Sequence, residues 1–370
     1  MSDTLEFEWL GRHVRLRSDS PELLEQVFHL WGSTPAGPPG SASETREYEA
    51  ILESPAGMRF RGPGGETTLD PVVPRLHAYN LFVTELLGAV SECFVFHGTV
   101  VSRDGRAIVV SGPTTFGKTT LGIHLATRGF ALLADDVCIL ERASGRVIPF
   151  TRPLRLRPGA RAMLPAAALA AAEQAVLARQ DDDWIVDSAR WPGAARSPAI
   201  IGMAVILRPE ADGAGVRQFP RYEVRARRER REILEELRTV AGVTGEPQYS
   251  DHGTTAHVLV NEVGPLLQWL RKRRADLVYA VKHTAEPPRF DGRPRLEPIS
   301  RFQAAIELGQ EMQNRHDDSR VGREFADREV LLVVEIANLL RDARCLALTP
   351  GRLDESVDAI VAAFEETTRR

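Results

Sequence analysis

The pattern of hydrophobic and polar positions divides the first 90 residues into short elements. Residues 3–17 alternate with the period of two that is typical of a strand. The Ser20-Pro21 step then marks a helix start, because serine caps a first turn and proline fits within it. A hairpin pattern over 48–61 and a helical pattern after Pro74 follow. Together these elements predict a small N-terminal α+β lobe over residues 1–90, a candidate region for binding a substrate or partner.

From residue 91 the apolar runs are those of buried strands. Asp104-Gly105, between two such runs, predicts a tight hairpin turn. A helical pattern opens at Thr119 and stops at Gly129, because glycine commonly follows the last helical turn. Strands are predicted at 93–97, 99–101, 107–110, 130–134, 137–140, 201–207, 277–281 and 345–348. Helical patterns return at 300–312, at 329–340 and from residue 354. This alternation predicts an α/β domain over residues 91–370.

Residues 209–275 are richer in charge than their surroundings and read as a helical insertion into that domain. Within the insertion, residues 221–231 hold six arginines in eleven positions. Arg228 and Arg231 each precede a glutamate by four residues, which predicts a solvated helix face that pairs with itself. The alternative is a surface that grips an acidic peptide or a transferred phosphate.

Composition excludes several classes of protein. Hydrophobic residues make up 43% and charged residues 26% of the 370, as in ordinary globular domains. No run approaches the roughly 18 apolar residues of a membrane span, and the N-terminus lacks the parts of a signal peptide. We therefore expect no membrane association and a cytoplasmic location. The net charge of −4 gives no indication of nucleic-acid binding, which is typical of basic proteins. The three cysteines have neither disulfide nor zinc-site spacing.

The segment from Gly112 to Thr119 has the pattern Gly-x-x-x-x-Gly-Lys-Thr between a predicted strand and a predicted helix. This is the context in which the pattern grips nucleotide phosphates. The glycines let backbone amides turn inward, the helix adds its positive dipole end, and Lys118 reaches the outer phosphates. Thr119 would offer its hydroxyl to Mg²⁺. The predicted nucleotide-binding residues are Gly112, Pro113, Thr114, Thr115, Phe116, Gly117, Lys118, Thr119 and Thr120.

Asp135 and Asp136 stand at the end of the next predicted strand, seventeen residues beyond Lys118. Ligands of open α/β sheets bind at this end of the strands, so we expect the pair beside the phosphates. Consecutive side chains on a strand point to opposite sides, which predicts two different tasks. One aspartate would hold Mg²⁺ with Thr119, and the other would accept a hydroxyl proton during phosphate transfer. A turn or a helix cap is the structural alternative.

Four segments share the order and spacing of a known family. They are Phe96-His97-Gly98, Ser111 to Leu121, Arg128-Gly129 and Leu133 to Val137. In these segments the chain resembles the HPr kinase/phosphorylase-like family, whose nucleotide fold is related to that of phosphoenolpyruvate carboxykinase. The resemblance covers about residues 92–370 and implies a P-loop core of that type. It also implies ATP and Mg²⁺ as cofactors, and a homo-oligomer such as a ring or a dimer.

The resemblance further implies a role for each residue of one active site. His97, Lys118 and Asp135 would be catalytic, with Asp135 as the base that faces the acceptor. Thr119 and Asp136 would lie on the metal side. Without the resemblance, His97 is either a proton relay, since imidazole titrates near neutrality, or a histidine at the edge of the core.

One departure from the family bears on the direction of the reaction. Authentic HPr kinases carry a Glu-Ile-Arg-Gly segment that contributes metal binding and phosphorolysis. The corresponding place here reads Leu154-Arg-Leu-Arg157. The resemblance therefore implies transfer that runs essentially one way.

The function expected from the sequence is an ATP-dependent kinase that transfers the γ-phosphate to a hydroxyl, that of a Ser or Thr in a peptide or protein. A kinase for a small metabolite and a non-catalytic ATP-sensing scaffold are the alternatives. The Leu-Ser-Gly-Gly-Gln string of a transport ATPase and the Asn-Lys-x-Asp string of a GTPase do not occur.

Overall fold

The computed structural model describes residues 3–31, 44–53, 57–69, 74–113, 116–150, 153–180, 183–188, 191, 197–208, 221–250, 253–260, 263–273, 276–283, 292–315 and 319–368. They form a mixed α/β structure. The chain divides into two compact units. The first comprises residues 1–113, 117–209 and 290–370, and the second comprises residues 210–289 together with 114–116.

The first unit begins with a sheet of strands that follow one another along the chain. Its strands are β1 (Asp3–Trp9), β2 (Arg12–Ser18), β3 (Glu44–Glu53), β4 (Gly57–Gly62) and β5 (Gly65–Leu69), in that order. Strands β2 and β3 pair in parallel, with helix α1 (Pro21–Trp31) between them in sequence. Helix α2 (Pro74–Gly88) follows.

The single strand predicted for residues 3–17 is a hairpin in the structure. The chain reverses at Leu10 and Gly11, whose φ angles are 46° and 73°. A two-residue hairpin turn of this kind needs positive φ at both central positions. Leucine is not a turn-forming residue, so the sequence did not indicate a turn at the first of these positions.

The second sheet contains the strands that surround the glycine-rich segment. They are β6 (Cys93–Phe96), β7 (Gly98–Arg103), β8 (Arg106–Ser111), β9 (Ala131–Asp135), β10 (Cys138–Glu141), β11 (Arg146–Ile148), β15 (Ala199–Leu207), β20 (Arg295–Pro298) and β21 (Arg344–Thr349). Strands β8, β15 and β21 run in parallel, while β7 joins β8 to β9 by antiparallel pairing. The hairpin predicted at Asp104-Gly105 is confirmed, with φ angles of 54° and 73°.

The remaining elements of the first unit are a small sheet and several helices. The sheet contains β12 (Leu154–Leu156), β13 (Val176–Gln180) and β14 (Asp183–Val186). The helices are α3 (Lys118–Thr127), α4 (Pro158–Ala162), α5 (Ala166–Gln174), α7 (Arg301–Gln310), α8 (Arg320–Phe325), α9 (Glu329–Leu339) and α10 (Leu353–Thr368). Ser300 and Gln303 form a capping box at the start of α7.

One buried apolar cluster joins the N-terminal sheet to the second sheet. It includes Trp9, Phe60 and Phe82 from the N-terminal region and Phe94 and Phe96 from the second sheet. The lobe predicted over residues 1–90 thus has its own sheet but shares its hydrophobic core with the sheet that carries the site.

The second unit covers nearly the same residues as the insertion predicted for 209–275, but it is built on a sheet, so the helical character predicted for that insertion is wrong. Its strands are β16 (Arg221–Ala226), β17 (Val243–Ser250), β18 (Thr255–Val260) and β19 (Leu277–His283), in the order β17, β18, β16, β19. Its helical parts are a 3₁₀ segment (Arg228–Thr239) and α6 (Val263–Lys272). Strand β19 pairs with β16, so residues 277–281 belong to this sheet.

The apolar positions of the second unit explain the sheet. Tyr222, Val224 and Ala226 are buried at every second position of β16, as are Ala256, Val258 and Val260 on β18. Charged residues fill the positions between the buried ones on β16. The alternation of a strand was therefore interpreted as a charged segment.

The arginine-rich segment does not form the ion pairs predicted from its spacing. Among the described residues, Arg228 does not pair with Glu232, nor Arg231 with Glu235. Instead Arg230 lies 3.5 Å from Glu232 and 3.3 Å from Asp276. The 3₁₀ geometry and a kink at Arg230 remove the α-helical spacing on which the prediction relied.

Within the described residues, no helix is both long enough and apolar enough to cross a membrane.

Candidate functional site

The glycine-rich loop, residues 112–117, joins the end of β8 to the start of α3. Gly112 has a φ of 142°, and a Cβ there would lie 2.8 Å from both the Cβ and the carbonyl oxygen of Leu207. Gly117 immediately precedes the helix with a φ of 81°. Both positions therefore require glycine, the first because of close approach as well as backbone angle.

Lys118 opens helix α3 and folds back over the beginning of the loop. Its side chain is buried, and its Nζ donates hydrogen bonds to the carbonyl oxygens of Gly112 at 2.7 Å and Pro113 at 2.9 Å. Burial lowers the pKa of Lys118, while the negative charges of Glu311, Asp136 and Asp135 act in the other direction and raise it.

Asp135 ends strand β9 and is held by two threonine hydroxyls. Thr119 Oγ1 lies 3.0 Å from each carboxylate oxygen, and Thr99 Oγ1 donates a hydrogen bond to Oδ1. The residue is only 6% exposed. Burial, and then the negative charge of Asp136, raises the pKa of Asp135 to about 6, although the hydrogen bonds from Thr99 and Thr119 oppose this rise.

Asp136 lies in a different environment from its neighbour. Its side chain is 44% exposed, and its Oδ1 lies 2.9 Å from His97 Nδ1. Its backbone is left-handed, with a φ of 68°. The two carboxylates therefore separate because the chain turns after Asp135, and not because they alternate along an extended strand.

This arrangement changes one sequence-based expectation. Thr119 was expected to share the metal side with Asp136, but its hydroxyl lies against Asp135. Asp136 instead accompanies His97. Strand β9 ends at Asp135, where its side chain turns toward the first turn of α3, and the left-handed turn carries Asp136 away from that position.

Residues from the segment after α7 complete the site, and no pattern in the sequence predicted them. Gln313 Nε2 donates to the backbone oxygen of Asp136 at 2.9 Å and lies 3.4 Å from His97 Nδ1. The backbone amide of His97 donates to the oxygen of Glu311 at 2.8 Å. More than 200 residues separate Gln313 from His97 in sequence, so spacing could not have linked them.

A cavity of about 120 Å³ adjoins the beginning of the loop. It is lined by Ser111, Gly112, Pro113, Ile206, Leu207, Arg208, Glu307, Gln310 and Glu311. Arg208 Nε donates to Glu307 Oε1 at 2.9 Å, so this arginine is already paired with a carboxylate. The cavity thus places two carboxylates and one neutralised arginine beside the glycine-rich loop.

The other predicted residues are placed as follows. Thr120 is buried in the first turn of α3. Phe116 is half-buried. Thr114 and Thr115 lie outside the described residues. Arg155, in the segment that departs from the family pattern, pairs with Asp183 at 2.6 Å.

Comparisons with known proteins assign this chain to no family. No protein-family model matches the chain, and no curated protein matches it. Among solved structures, the HPr(Ser) kinase/phosphatase of Coxiella burnetii aligns over 49% of this chain and 96% of that chain, at 15% identity and a TM-score of 0.22. This is a weak structural likeness, and the inference of function depends on the residues of the site themselves.

Proposed function

We propose that this protein is an ATP-dependent phosphotransferase that moves the γ-phosphate to a hydroxyl of its acceptor. The observation that carries the proposal is the separation of two neighbouring carboxylates beside a glycine-rich loop. Asp135 lies against Thr119, and Asp136 lies against His97. Phosphoryl transfer needs a site of this kind, with one group on the metal side and another on the acceptor side.

The residues around the loop fit a nucleotide that carries Mg²⁺. Gly112 leaves room only for backbone, and Lys118 supplies a positive charge at the start of a helix. Thr119 and Asp135 would hold Mg²⁺, which accepts oxygen ligands and usually keeps waters and phosphates as the others. Bound Mg²⁺ would neutralise charge on the transferred group.

Asp136 and His97 would act on the acceptor. Both side chains are partly exposed, whereas the oxygens of Asp135 are occupied by threonine hydroxyls. If Nδ1 of His97 donates to Asp136, its Nε2 is left to accept the proton of the incoming hydroxyl. The carboxylate then stabilises the imidazolium, as in other histidine–aspartate pairs. This proposal exchanges the roles that the family resemblance implied for the two aspartates.

Lys118 would hold the phosphates. In the structure its ammonium group is satisfied by two loop carbonyls, which are weaker partners than a phosphate anion. The three carboxylates around Lys118 favour its charged form, while its burial removes competing water.

The test separates binding from transfer. We expect Lys118→Ala and Asp135→Asn to lose most of the rise in melting temperature that millimolar Mg-ATP gives the wild type, since a ligand stabilises only the state that binds it. Asp136→Asn should keep binding within about threefold and lose transfer by roughly 10²- to 10⁴-fold, the range for a positioned acid–base group. Asp104→Asn, in the exposed hairpin turn, is the matched control and should change neither property.

Transfer is measured with γ-labelled ATP and a cell extract divided into macromolecular and small-molecule fractions. Label in the first fraction identifies a protein acceptor, and label in the second identifies a metabolite acceptor. No stabilisation by Mg-ATP would overturn the proposal. Binding without label in either fraction would favour the ATP-sensing scaffold. An Asp135→Asn variant that binds Mg-ATP normally but transfers no phosphate would restore the roles implied by the resemblance.

A further inference from the structure

The segment that follows α7, residues 311–314, is attached to strand β6 by its main chain. The amide of Gln313 donates to the carbonyl oxygen of Val95 at 2.8 Å, and the amide of His97 donates to that of Glu311 at 2.8 Å. These two bonds enclose an antiparallel bridge between the segment and β6. Paired bonds of this kind fix both the position of a residue and the side to which its side chain points. The segment thus carries the side chain of Gln313 to the end of β6, next to His97.

Asn314 anchors the same segment from inside the core, where its side chain is fully buried. Its Oδ1 accepts a hydrogen bond from the amide of Val95 at 3.1 Å, and its Nδ2 donates to the carbonyl oxygen of Cys93 at 3.0 Å. Ser319 Oγ donates to the carbonyl oxygen of Asn314 at 2.7 Å. A buried amide with satisfied partners keeps one orientation, so the fold itself fixes the position of the neighbouring Gln313.

The side chain of Gln313 ends at a peptide group in an unusual conformation. Asp136 has a φ of 68°, in the left-handed region that few residues other than glycine adopt. Its carbonyl oxygen accepts a hydrogen bond from Gln313 Nε2 at 2.9 Å. A backbone of this kind persists only where the surrounding structure holds it, and such positions cluster at functional sites. Gln313 therefore helps to hold the residue whose carboxylate lies against His97.

The protonation of the His97 ring depends on the same aspartate. Nδ1 of His97 lies 2.9 Å from Oδ1 of Asp136 and 3.2 Å from its carbonyl oxygen. An ionised carboxylate and a carbonyl only accept hydrogen bonds, so both favour a proton on Nδ1. Nε2 of Gln313, which only donates, lies 3.4 Å from Nδ1 and would favour the opposite tautomer. The shorter contacts with Asp136 decide for the proton on Nδ1, as long as the peptide of Asp136 stays in place.

We propose that Gln313 is a positioning residue for the pair of His97 and Asp136. By holding the left-handed peptide of Asp136, its amide keeps the Asp136 carboxylate on Nδ1 of His97 and leaves Nε2 of His97 without a proton. The hydrogen bond at one ring nitrogen determines which nitrogen carries the proton. The role of Nε2 as a base rests on the proposed function, whereas the tautomer itself does not.

The first test measures the tautomer of His97 in the full-length protein without nucleotide. At about pH 9, above the usual titration range of imidazole, ¹⁵N spectra distinguish the ring nitrogen that carries the proton from the one that does not. Among the nine histidines, the signals of His97 are those that disappear in His97→Asn. We expect the wild type to carry the proton on Nδ1.

Three variants examine the cause of this tautomer. Gln313→Met fills nearly the same space without a donor, so the peptide of Asp136 loses one hold and the ring should become a mixture of both tautomers. Gln313→Lys keeps a donor at this place and should keep the wild-type tautomer. Gln174→Met, at an exposed residue that ends α5, is the matched control and should have the wild-type spectrum. Circular dichroism checks that each variant is folded.

The second test is phosphate transfer, measured in a double-mutant cycle with Asp136→Asn. Gln313→Met should keep the rise in melting temperature with Mg-ATP and lower transfer roughly tenfold, because the acid–base pair is misplaced but still present. In the Asp136→Asn background the same change should lower transfer by less than about twofold, since groups that act as a unit are not additive. A merely structural role would give the same loss in both backgrounds.

Three results would overturn the proposal. The first is a wild type with the proton on Nε2 of His97. The second is a folded Gln313→Met variant with an unchanged tautomer. The third is an equal loss of transfer in both backgrounds. A wild type that transfers no phosphate would count against the proposed function, and the ¹⁵N spectra would then decide alone on the role of Gln313.

Discussion

At the scale of one residue, Asp135 illustrates how a candidate functional site opposes stability. Its carboxylate is buried beside the charge of Asp136, and its pKa is raised to about 6. The folded chain therefore binds the proton of Asp135 more tightly than the unfolded chain does, in which aspartate has a pKa of about 4. Ionisation of Asp135 reduces stability as pH rises from about 4 to about 6, and the full penalty applies above that window.

We predict that Asp135→Asn stabilises the nucleotide-free protein. Two pKa units correspond to about 3 kcal/mol, which is the upper limit for the gain at pH 8. At pH 5 the gain should be smaller, because the wild-type carboxyl is then largely protonated in the folded state. Urea unfolding at both pH values, without Mg²⁺ or nucleotide, measures the difference.

The control for this prediction is Asp104→Asn in the hairpin turn. The side chain of Asp104 is exposed, so its substitution should change stability little at either pH. A gain for Asp135→Asn that is equal at pH 5 and pH 8 would show that packing, and not ionisation, is responsible.

At the scale of the elements, the site depends on a close approach between helix α3 and strand β7. Gly122 lies in the middle of α3, and a Cβ there would overlap the Cγ2 methyl of Thr99. Thr99 is the residue that donates a hydrogen bond to Asp135. One glycine thus lets the helix pack near enough to the strand for both threonines to reach one carboxylate.

We predict that Gly122→Ala destabilises the protein by roughly 1–3 kcal/mol, the usual cost of overpacking. This is opposite in sign to the gain of up to about 1 kcal/mol that the substitution normally gives inside a helix. Gly309→Ala in α7 is the matched control, since its Cβ would find only an ordinary contact at 3.8 Å. Urea unfolding of both variants checks the difference, and a stabilised Gly122→Ala would show that the helix can move away from the strand without cost.

At the scale of the whole molecule, the chain leaves the first unit and returns to it beside the same strand, β21. The amide of Arg208 donates to the oxygen of Leu348 on β21 at 2.9 Å. Leu296, shortly after the chain returns, pairs with the same Leu348. The second unit also has a core of its own, which includes Val224, Leu237 and others. These features are typical of a domain inserted between neighbouring points of another.

We predict that residues 210–289 can be replaced by a short Gly-Ser linker without unfolding the first unit. The shortened chain should stay soluble and unfold in one cooperative transition, because the buried cluster of the first unit includes none of the described residues that are removed. Thermal unfolding followed by circular dichroism provides the measurement. A broad transition without cooperativity would show that the first unit needs the second.

Local sequence determined much of the site's framework. The hairpin at Asp104-Gly105, the glycines at 112 and 117, and the start of α3 are set by backbone preferences that act over a few residues. The two carboxylates at the end of the next strand could also be predicted, because ligands of open α/β sheets bind at the carboxyl ends of the strands. The side chains that contact those carboxylates could not be predicted from the sequence.

Only the tertiary structure decided which partner each group has. The contact of Thr99 with Asp135 and the position of Gln313 beside His97 join parts of the chain up to 216 residues apart. Local propensity carries no information on such contacts, since they form only when sheets and helices pack. For the same reason the second unit was mistaken for a helix: its burial pattern depends on the strand that lies beside it.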